Sequence, residues 1–313
     1  MITDSLNSKA LVSVLIPTYN AQNTIRELIQ SIKSQSLPDN YGLEIILVDS
    51  SSTDSTIEIV KKHFPDVKIK VIKNKEFNHG STRNYLARIS KGDYLLFMTQ
   101  DAIPYDNKLI LNLLKNLLND DNMICFARQL PKPDAKVLEI FARSFNYPNK
   151  KIIKNKEKIK ELGVKTFFNS NVCSMYKRKL FEPPFNGFPN DIILNEDLVL
   201  AYKVIIRNKN VVYEPAAKVY HSHDYNIKQQ FKRYFDIGMA FKETEALFKN
   251  ISNEKEGLRM LLNQVKYLVK KKKINLILYC LTENVAKLIG YRLGKMNNKI
   301  PKNIRSKFSA YSK

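Results

Sequence analysis

No stretch of this 313-residue chain reaches the roughly 20 uninterrupted apolar residues that a membrane-spanning helix needs, so no spanning segment is expected. The opening Met1-Ile2-Thr3-Asp4 has neither a basic n-region nor an apolar h-region, which argues against a secretory leader. Cysteine is scarce. Cys125, Cys173 and Cys280 are far apart, odd in number and without metal-ligand spacing. They read as reduced, buried thiols in a cytosolic protein, and a disulfide framework is excluded. Internal repeats and low-complexity tracts are absent as well. Acidic residues are outnumbered, 30 Asp and Glu against 52 Lys and Arg, which leaves a net charge of +22.

What is present suits a folded enzyme-sized chain. Apolar residues make up 44%, with 16 Tyr and 16 Phe, a globular composition. The length allows one full core and a further element beside it. The positive charge is concentrated: residues 226–313 carry 20 Lys and Arg against 6 Asp and Glu. Such a tail points to an anionic partner, whether nucleic acid, acidic lipid or polyphosphate, or else is a solvated surface.

The first hundred residues alternate short apolar runs with helical spacing. Strands are expected at Leu11–Ile16, Leu43–Val48, Val67–Ile72 and Tyr94–Met98. Helices are expected at Ala21–Gln35, Thr53–Phe64 and Ser81–Ile89. This rhythm predicts a mostly parallel α/β sheet flanked by helices, with right-handed crossovers. Ligands of such sheets sit beyond the carboxyl ends of the strands, here Pro17–Asn20, Asp49–Ser52 and Thr99–Ala102. Further on, Asn149–Lys165 reads as a loop or exposed helix, Asn171–Tyr176 as a strand and Phe181–Asn190 as a loop. A helix at Glu196–Ile206 and a strand at Val211–Glu214 follow, and beyond His223 the pattern is helical with a break at Lys270–Lys273. The division expected is a catalytic domain over residues 1–225 and a basic helical region over 226–313.

Candidate chemistry lies at those strand ends. Asp49 follows Ile45-Ile46-Leu47-Val48 and precedes three serines, where it can accept bonds from a nucleobase or ribose, or simply cap a helix. Asp101 holds the same kind of position after Tyr94–Met98, as a turn residue or as a ligand, since a hard divalent cation takes one or two such carboxylates together with substrate phosphates. Glu196-Asp197 opens a helix, as a dipole-favoured pair or as a general base. His221-Ser222-His223 puts two of the chain's four histidines on one side of an extended segment, as metal ligands or as structural residues.

In order along the chain, Pro17-Thr18-Tyr19-Asn20, Val48-Asp49-Ser50-Ser51-Ser52-Thr53-Asp54, Gly80-Ser81-Thr82-Arg83-Asn84, Gln100-Asp101, Asn195-Glu196-Asp197 and Val219-Tyr220-His221 closely resemble the family 2 glycosyltransferases of the GT-A fold. The resemblance runs from about Val12 to Gly238. Within it, Phe77-Asn78-His79-Gly80-Ser81-Thr82-Arg83-Asn84, Thr99-Gln100-Asp101-Ala102, Phe168-Asn169-Ser170-Asn171 and His221-Ser222-His223-Asp224-Tyr225 look like the rhamnosyltransferase branch, which uses dTDP-rhamnose to build surface polysaccharides.

The resemblance implies an inverting transferase. It places Pro17, Thr18, Tyr19, Asp49, Ser51, Arg83, Gln100 and Asp101 along the nucleotide sugar. Asp197, with Glu196 as the alternative, becomes the general base. A divalent metal, Mg²⁺ or Mn²⁺, falls on Asp101 with His221 or His223. The family often carries two carboxylates at the Asp101 position, whereas here the neighbours are Gln100 and Ile103. Gln230-Phe231-Lys232-Arg233-Tyr234 is similar to a Gln-x-x-Arg-Trp element, which implies Arg233 at the diphosphate and Tyr234 at the acceptor sugar; a plain basic helix is the competing reading. Asn171 is expected on the acceptor side too.

In the tail, Ile274, Ile277, Leu278, Leu281, Val285, Leu288 and Ile289 share a helical face beside Lys270–Lys273. The stripe suits either an anionic membrane interface or packing on the catalytic domain or a second subunit, a homodimer. By resemblance the acceptor is a saccharide linked to a polyprenyl diphosphate, and the protein is peripheral on the inner face of the cell membrane. A UDP-hexose donor is the near alternative. A nucleic-acid-binding protein is suggested by charge alone, without zinc-finger spacing, an RNP-like strand or a recognition helix, so no nucleic acid is expected. A nicotinamide dehydrogenase would need Gly-x-Gly-x-x-Gly where the first strand ends in Pro17-Thr18-Tyr19-Asn20.

Overall fold

Runs such as Val12–Ile16 and Ile45–Val48 are apolar at every position, the mark of strands covered on both faces. In the computed structural model, which describes residues 9–249 and 254–311, these runs form the centre of the sheet. The leader reading at Met1–Asp4 lies outside the described residues. The strands are β1 (Ala10–Thr18), β2 (Tyr41–Asp49), β3 (Lys68–Val71), β4 (Tyr94–Met98), β5 (Ile103–Pro104), β6 (Asn122–Leu130), β7 (Ile152–Lys154), β8 (Cys173–Lys177) and β9 (Asn210–Tyr220). They join one sheet in the order β3-β2-β1-β4-β8-β6-β9-β5, with β7 paired to β9.

The first four strands are parallel, as expected from the alternating pattern. Beyond β4 the sheet is mixed: β8 runs antiparallel to β4 and β6, whereas β6 and β9 are parallel to each other. One direction therefore holds for β1, β2, β4, β6 and β9. Their carboxyl ends and the amino end of β8 meet on a single rim.

Alternation sends Val12, Val14, Ile16, Leu96 and Met98 to one face, under the helices Ile25–Lys33 and Leu109–Leu117. Leu15, Leu95 and Phe97 pack on the other face with the helices His79–Ile89 and Glu196–Ile206. Each such side chain, fully buried, contributes roughly 1.5–3 kcal/mol. The Phe181–Asn190 loop belongs to this second layer: the rings of Phe181 and Phe188 lie 5.6 and 5.3 Å from that of Phe97.

Three local departures matter for the site. Residues 149–165 are not a plain loop or helix; they contribute the edge strand β7, whose Lys154 is buried between Phe126 and Phe168 and donates to the Phe168 carbonyl at 2.6 Å. The strand expected at Asn171 starts only at Cys173, which leaves Asn171 in the turn before it. The strand expected to stop at Glu214 continues to Tyr220 and delivers His221 to the rim.

The tail folds as helices Ile227–Glu243, Glu254–Lys270, Ile277–Lys295 and Lys302–Phe308, broken at the lysines as expected. The expected boundary at Tyr225 separates parts that share side chains, since Tyr267 meets Phe141 and Tyr311 meets His79. Ile227–Glu243 and Ile277–Lys295 touch backbone to backbone. A Cβ added to Gly238, Gly290 or Gly294 would collide with the main chain of the facing helix. The second helix is inverted. Cys280, Glu283, Lys287, Gly290 and Gly294 face inward, with Glu283 and Lys287 paired, while Leu278 (76% exposed), Leu281, Val285, Leu288 and Ile289 face outward. Among the described residues no helix is long and apolar enough to cross a membrane.

Candidate active site

At the β1–β2 end of the rim, register pairs Thr18 with Asp49. Asp49 is 1% exposed and accepts from Ser52 N (2.7 Å), Ser52 Oγ (2.6 Å) and Thr18 Oγ1 (3.1 Å). A carboxylate has about four lone-pair sites, so most of its capacity already shapes the loop that follows. Both strand-to-helix turns are tight: Asn20 and Ser51 adopt left-handed φ of 51° and 60°. Gln100 clamps β1 to β4, accepting from Tyr19 N at 2.7 Å and donating to Tyr19 O at 2.9 Å. Pro17 ends the buried run, Ser51 donates to Ile72 O at 2.7 Å, and the Tyr19 ring stands exposed at the mouth.

In the middle of the rim, Asp101, His221 and His223 converge, with ligand atoms all within 4.8 Å of one another. Asp101 Oδ2 lies 3.2 Å from His223 Nε2 and 3.6 Å from His221 Nε2, and the two Nε2 atoms are 3.1 Å apart. Gln129 Oε1, on β6, faces His221 Nδ1 at 3.0 Å while also accepting from Arg143. Its Nε2 donates to Ser170 Oγ at 2.9 Å, which fixes the amide. His221 must then carry its proton on Nδ1 and turn the Nε2 lone pair toward Asp101. Burial pushes His221 down to about 3 and His223 below its usual value, against the pull of Asp101. Two neutral imidazoles and a carboxylate, oriented by an outer layer of Gln129, Arg143 and Glu139, fit a divalent metal.

The third group is the acid pair. Asn195, at φ 67°, turns the chain into the Glu196 helix. Glu196 is buried, 3.2 Å from Arg83 Nη1, and accepts from Asn171 Nδ2 at 2.9 Å. Burial alone would raise its pKa, yet the charges of Arg83 and His79 and the Asn171 bond hold it below the usual carboxylate range. Asp197 keeps partial access to solvent and accepts from Asn171 N (3.1 Å) and Leu198 N (2.8 Å). Burial in the cleft, and then the Glu196 charge, push it up to about 7. Neighbouring carboxylates driven apart in this way assign themselves roles: one stays ionised and structural, the other titrates near neutral pH as a general base should.

Several expected contacts are placed differently. Arg83 is buried on Glu196 and the His79 carbonyl (2.9 Å), not open to a nucleotide. Asn171 sits behind the acid pair with its amide fully engaged, its Oδ1 accepting from Tyr176 at 2.6 Å, because the turn before β8 tucks it under the helix. Tyr234 turns away, its ring 5.7 Å from Lys287 Nζ in the tail. Arg233 does reach the cleft. It is accessible to solvent, lies 5.6 Å from the Tyr225 ring, and its charge is felt at His79, His221 and His223. Gln129, Arg143 and Glu139 carried no local sequence signal, and His79 stood only within the Phe77–Asn84 motif with no role of its own; each acquires its role through tertiary neighbours.

The family described as Glycosyl transferase family 2 matches residues 13–183. The chain is 36% identical over 302 residues to the O-antigen chain rhamnosyltransferase RfbN of Salmonella typhimurium, covering 96% of this chain and 94% of that one. It is 38% identical over 305 residues to the O-antigen chain rhamnosyltransferase WbaN of Salmonella anatum, with the same coverage of 96% and 94%. Among solved structures, the mannosyltransferase PcManGT of Pyrobaculum calidifontis, in complex with GDP-Man and Mn²⁺, superposes with a TM-score of 0.57 at 17% identity, over 95% of this chain and 84% of that one. Staphylococcus aureus TarS 1-349 in complex with UDP-GlcNAc gives 0.53 at 15% identity, over 92% and 91%. At such identities these two likenesses speak for the fold alone.

Proposed function

The chain belongs to glycosyltransferase family 2, with the GT-A fold, and from that premise we propose that it transfers rhamnose from dTDP-rhamnose to a hydroxyl of a lipid-linked saccharide, inverting the anomeric carbon. Rhamnose rests on the two Salmonella relatives. The observation that carries the mechanism is the split acid pair, Glu196 locked on Arg83 and Asp197 raised to about 7.

Asp197 takes the proton of the acceptor hydroxyl. The acceptor oxygen bonds to the anomeric carbon as the bond from that carbon to the diphosphate oxygen breaks, and the electron pair leaves with the diphosphate. Asn171 N and Leu198 N hold the Asp197 carboxylate in place, and Arg233 offers a fixed cation on the same side of the cleft. Asp101, His221 and His223 would hold a divalent cation, which when bound supplies charge withdrawal at the diphosphate. Two imidazoles favour Mn²⁺ over Mg²⁺, which prefers oxygen ligands.

The outward apolar face of Ile277–Lys295, flanked by Lys270–Lys273 and Arg292, supports peripheral attachment to an anionic membrane at its cytoplasmic side. Pairing two copies through this face would press like-charged rims together, so a bilayer suits it better than a homodimer. Sedimentation with vesicles containing anionic lipid checks this: Leu278→Asp with Leu288→Asp should abolish binding, and neutral vesicles should bind weakly. Equal binding by the variant removes the membrane from the proposal.

The donor is tested by hydrolysis and thermal shift across dTDP-rhamnose, UDP-glucose, UDP-GlcNAc and GDP-mannose with Mn²⁺. Preference for dTDP-rhamnose is expected; preference for a UDP-hexose replaces the donor. Asp197→Asn should cut transfer by at least ~10²-fold and leave donor binding intact.

A further inference from the structure

The end of the chain returns to the catalytic centre. Asp236 lies three residues after Arg233 on the helix Ile227–Glu243, and it is 0% exposed. A buried carboxylate is tolerated only with good hydrogen bonds, and this one takes them from the tail: Ser309 Oγ at 2.5 Å and Ala310 N at 2.8 Å. Ser309 Oγ in turn accepts from Tyr311 N at 3.0 Å. One residue earlier, the Phe308 ring packs on Phe231 and Phe235, with centroids 5.3 and 5.7 Å away. The tail is thus latched to the helix that carries Arg233.

The latch brings Tyr311 edge-on to the His79 ring, centroids 5.2 Å apart, with Phe77 on the same imidazole at 5.1 Å. His79 is the residue whose carbonyl holds Arg83, the partner of Glu196. Tyr311 is fixed, yet 40% of it remains exposed, and it shares its surroundings with Arg233, Tyr225 and Glu196. His79 Nε2 is buried there without a protein hydrogen-bond partner. A held, half-exposed aromatic ring beside the accessible Arg233 guanidinium matches a pyranose, which offers an apolar C–H face and a polar hydroxyl edge.

We propose that Tyr311 is the aromatic wall of a pyranose-binding subsite beside Glu196–Asp197, positioned by the Asp236 latch. The inference rests on the glycosyltransferase reading above. It gives the tail a part in sugar recognition and takes over the role expected of Tyr234, which faces Lys287.

The ring can serve the donor sugar or the acceptor sugar, and the assay separates them. With the full chain and Mn²⁺, donor hydrolysis without acceptor reads the donor KM, and transfer at saturating donor reads the acceptor KM. Tyr311→Ala should raise one of the two about tenfold, the scale of one lost aromatic contact, while the Kd for dTDP, which lacks the pyranose, stays put. Tyr311→Phe should restore it, since the ring remains. Asp236→Asn should raise the same KM as Tyr311→Ala, by freeing the tail. Unchanged KM for both sugars in Tyr311→Ala, or an equal loss of dTDP affinity, overturns the proposal while leaving the transferase reading intact. A wild-type protein that turns over none of the nucleotide sugars fails both.

Discussion

Replacing Glu196 by Gln isolates the electrostatic claim on which the mechanism depends. The substitution keeps the shape and the oxygen that accepts from Asn171, and removes only the charge. Asp197 rises from its usual 3.8 to about 7, first through burial and second through Glu196, with Asn171 N, Arg83 and Leu198 N pulling the other way. In Glu196→Gln the second cause vanishes and the Arg83 charge is no longer neutralised, so the Asp197 pKa must fall. Two unit charges 4 Å apart at an effective dielectric of 20 interact by ~4 kcal/mol. A longer contact with some solvent access, at ~1.4 kcal/mol per unit, corresponds to a fall of about one to two units. The assay is kcat/KM against pH, whose acid limb reports the base of the free enzyme. The limb, near pH 7 in the native protein, should move down by about that amount, and the plateau should drop because a weaker base removes the proton less effectively. A limb that stays put, or climbs, refutes the division of labour between the two carboxylates.

Three further outcomes follow from the same structure. Because the folded pKa of Asp197 lies above its unfolded value, the native state loses stability as pH rises from about 4 through 7; Asp197→Asn should therefore stabilise the protein at pH 8 by about 1–2 kcal/mol after allowance for solvent access, read as a higher Tm, and leave Tm nearly unchanged at pH 4. Gln129→Leu removes the acceptor that orients His221, and isothermal titration should show Mn²⁺ affinity falling about 10–100-fold with Asp101 and both histidines untouched. Gly294→Ala gains ~1 kcal/mol of helix propensity but sets a methyl group against the Phe235 carbonyl, so chemical denaturation should show a net loss of stability.

Much of the parallel half was legible because β1, β2 and β4 are buried on both faces and their side chains say so residue by residue. Asp49 and Asp101 were legible for a related reason: polar side chains placed just after such runs lie at the strand ends. His221 and His223 were legible as a pair at i and i+2, and Asp197 as the opening of a helical pattern. Partnerships were not. Arg83 and Glu196 are 113 residues apart, and neither sequence context announces a buried pair. Asn171 was expected on the acceptor side, yet its turn tucks it behind the acid pair, and Tyr234 was expected at the acceptor sugar because one helical face cannot be told from another without the neighbour. Gln129 had no signal at all; its meaning comes from β6 lying beside β9.

The helix Ile277–Lys295 shows how a correct stripe can still leave its direction open. An amphipathic pattern ordinarily sends its apolar face to the core. Here the inner face is Cys280, Glu283, Lys287, Gly290 and Gly294, and the glycines explain why that suffices. With no side chain in the way, the two backbones approach until main-chain atoms themselves supply the dispersion contacts that apolar side chains usually provide. The leucines are then released to the outside, next to the lysines. The facing helix, Ile227–Glu243, carries Arg233 toward the cleft and Asp236 toward the Tyr311 latch. On the membrane reading, a helix-diameter step of ~10 Å separates the lipid-facing leucines from the helix that bears the sugar-side residues. A variant that closes the glycine contact should then loosen both functions together, raising the sugar KM and weakening vesicle binding in one substitution. Gly290→Val, placed against the Phe231 carbonyl, is that variant, and loss of either property without the other would separate the tail's two faces.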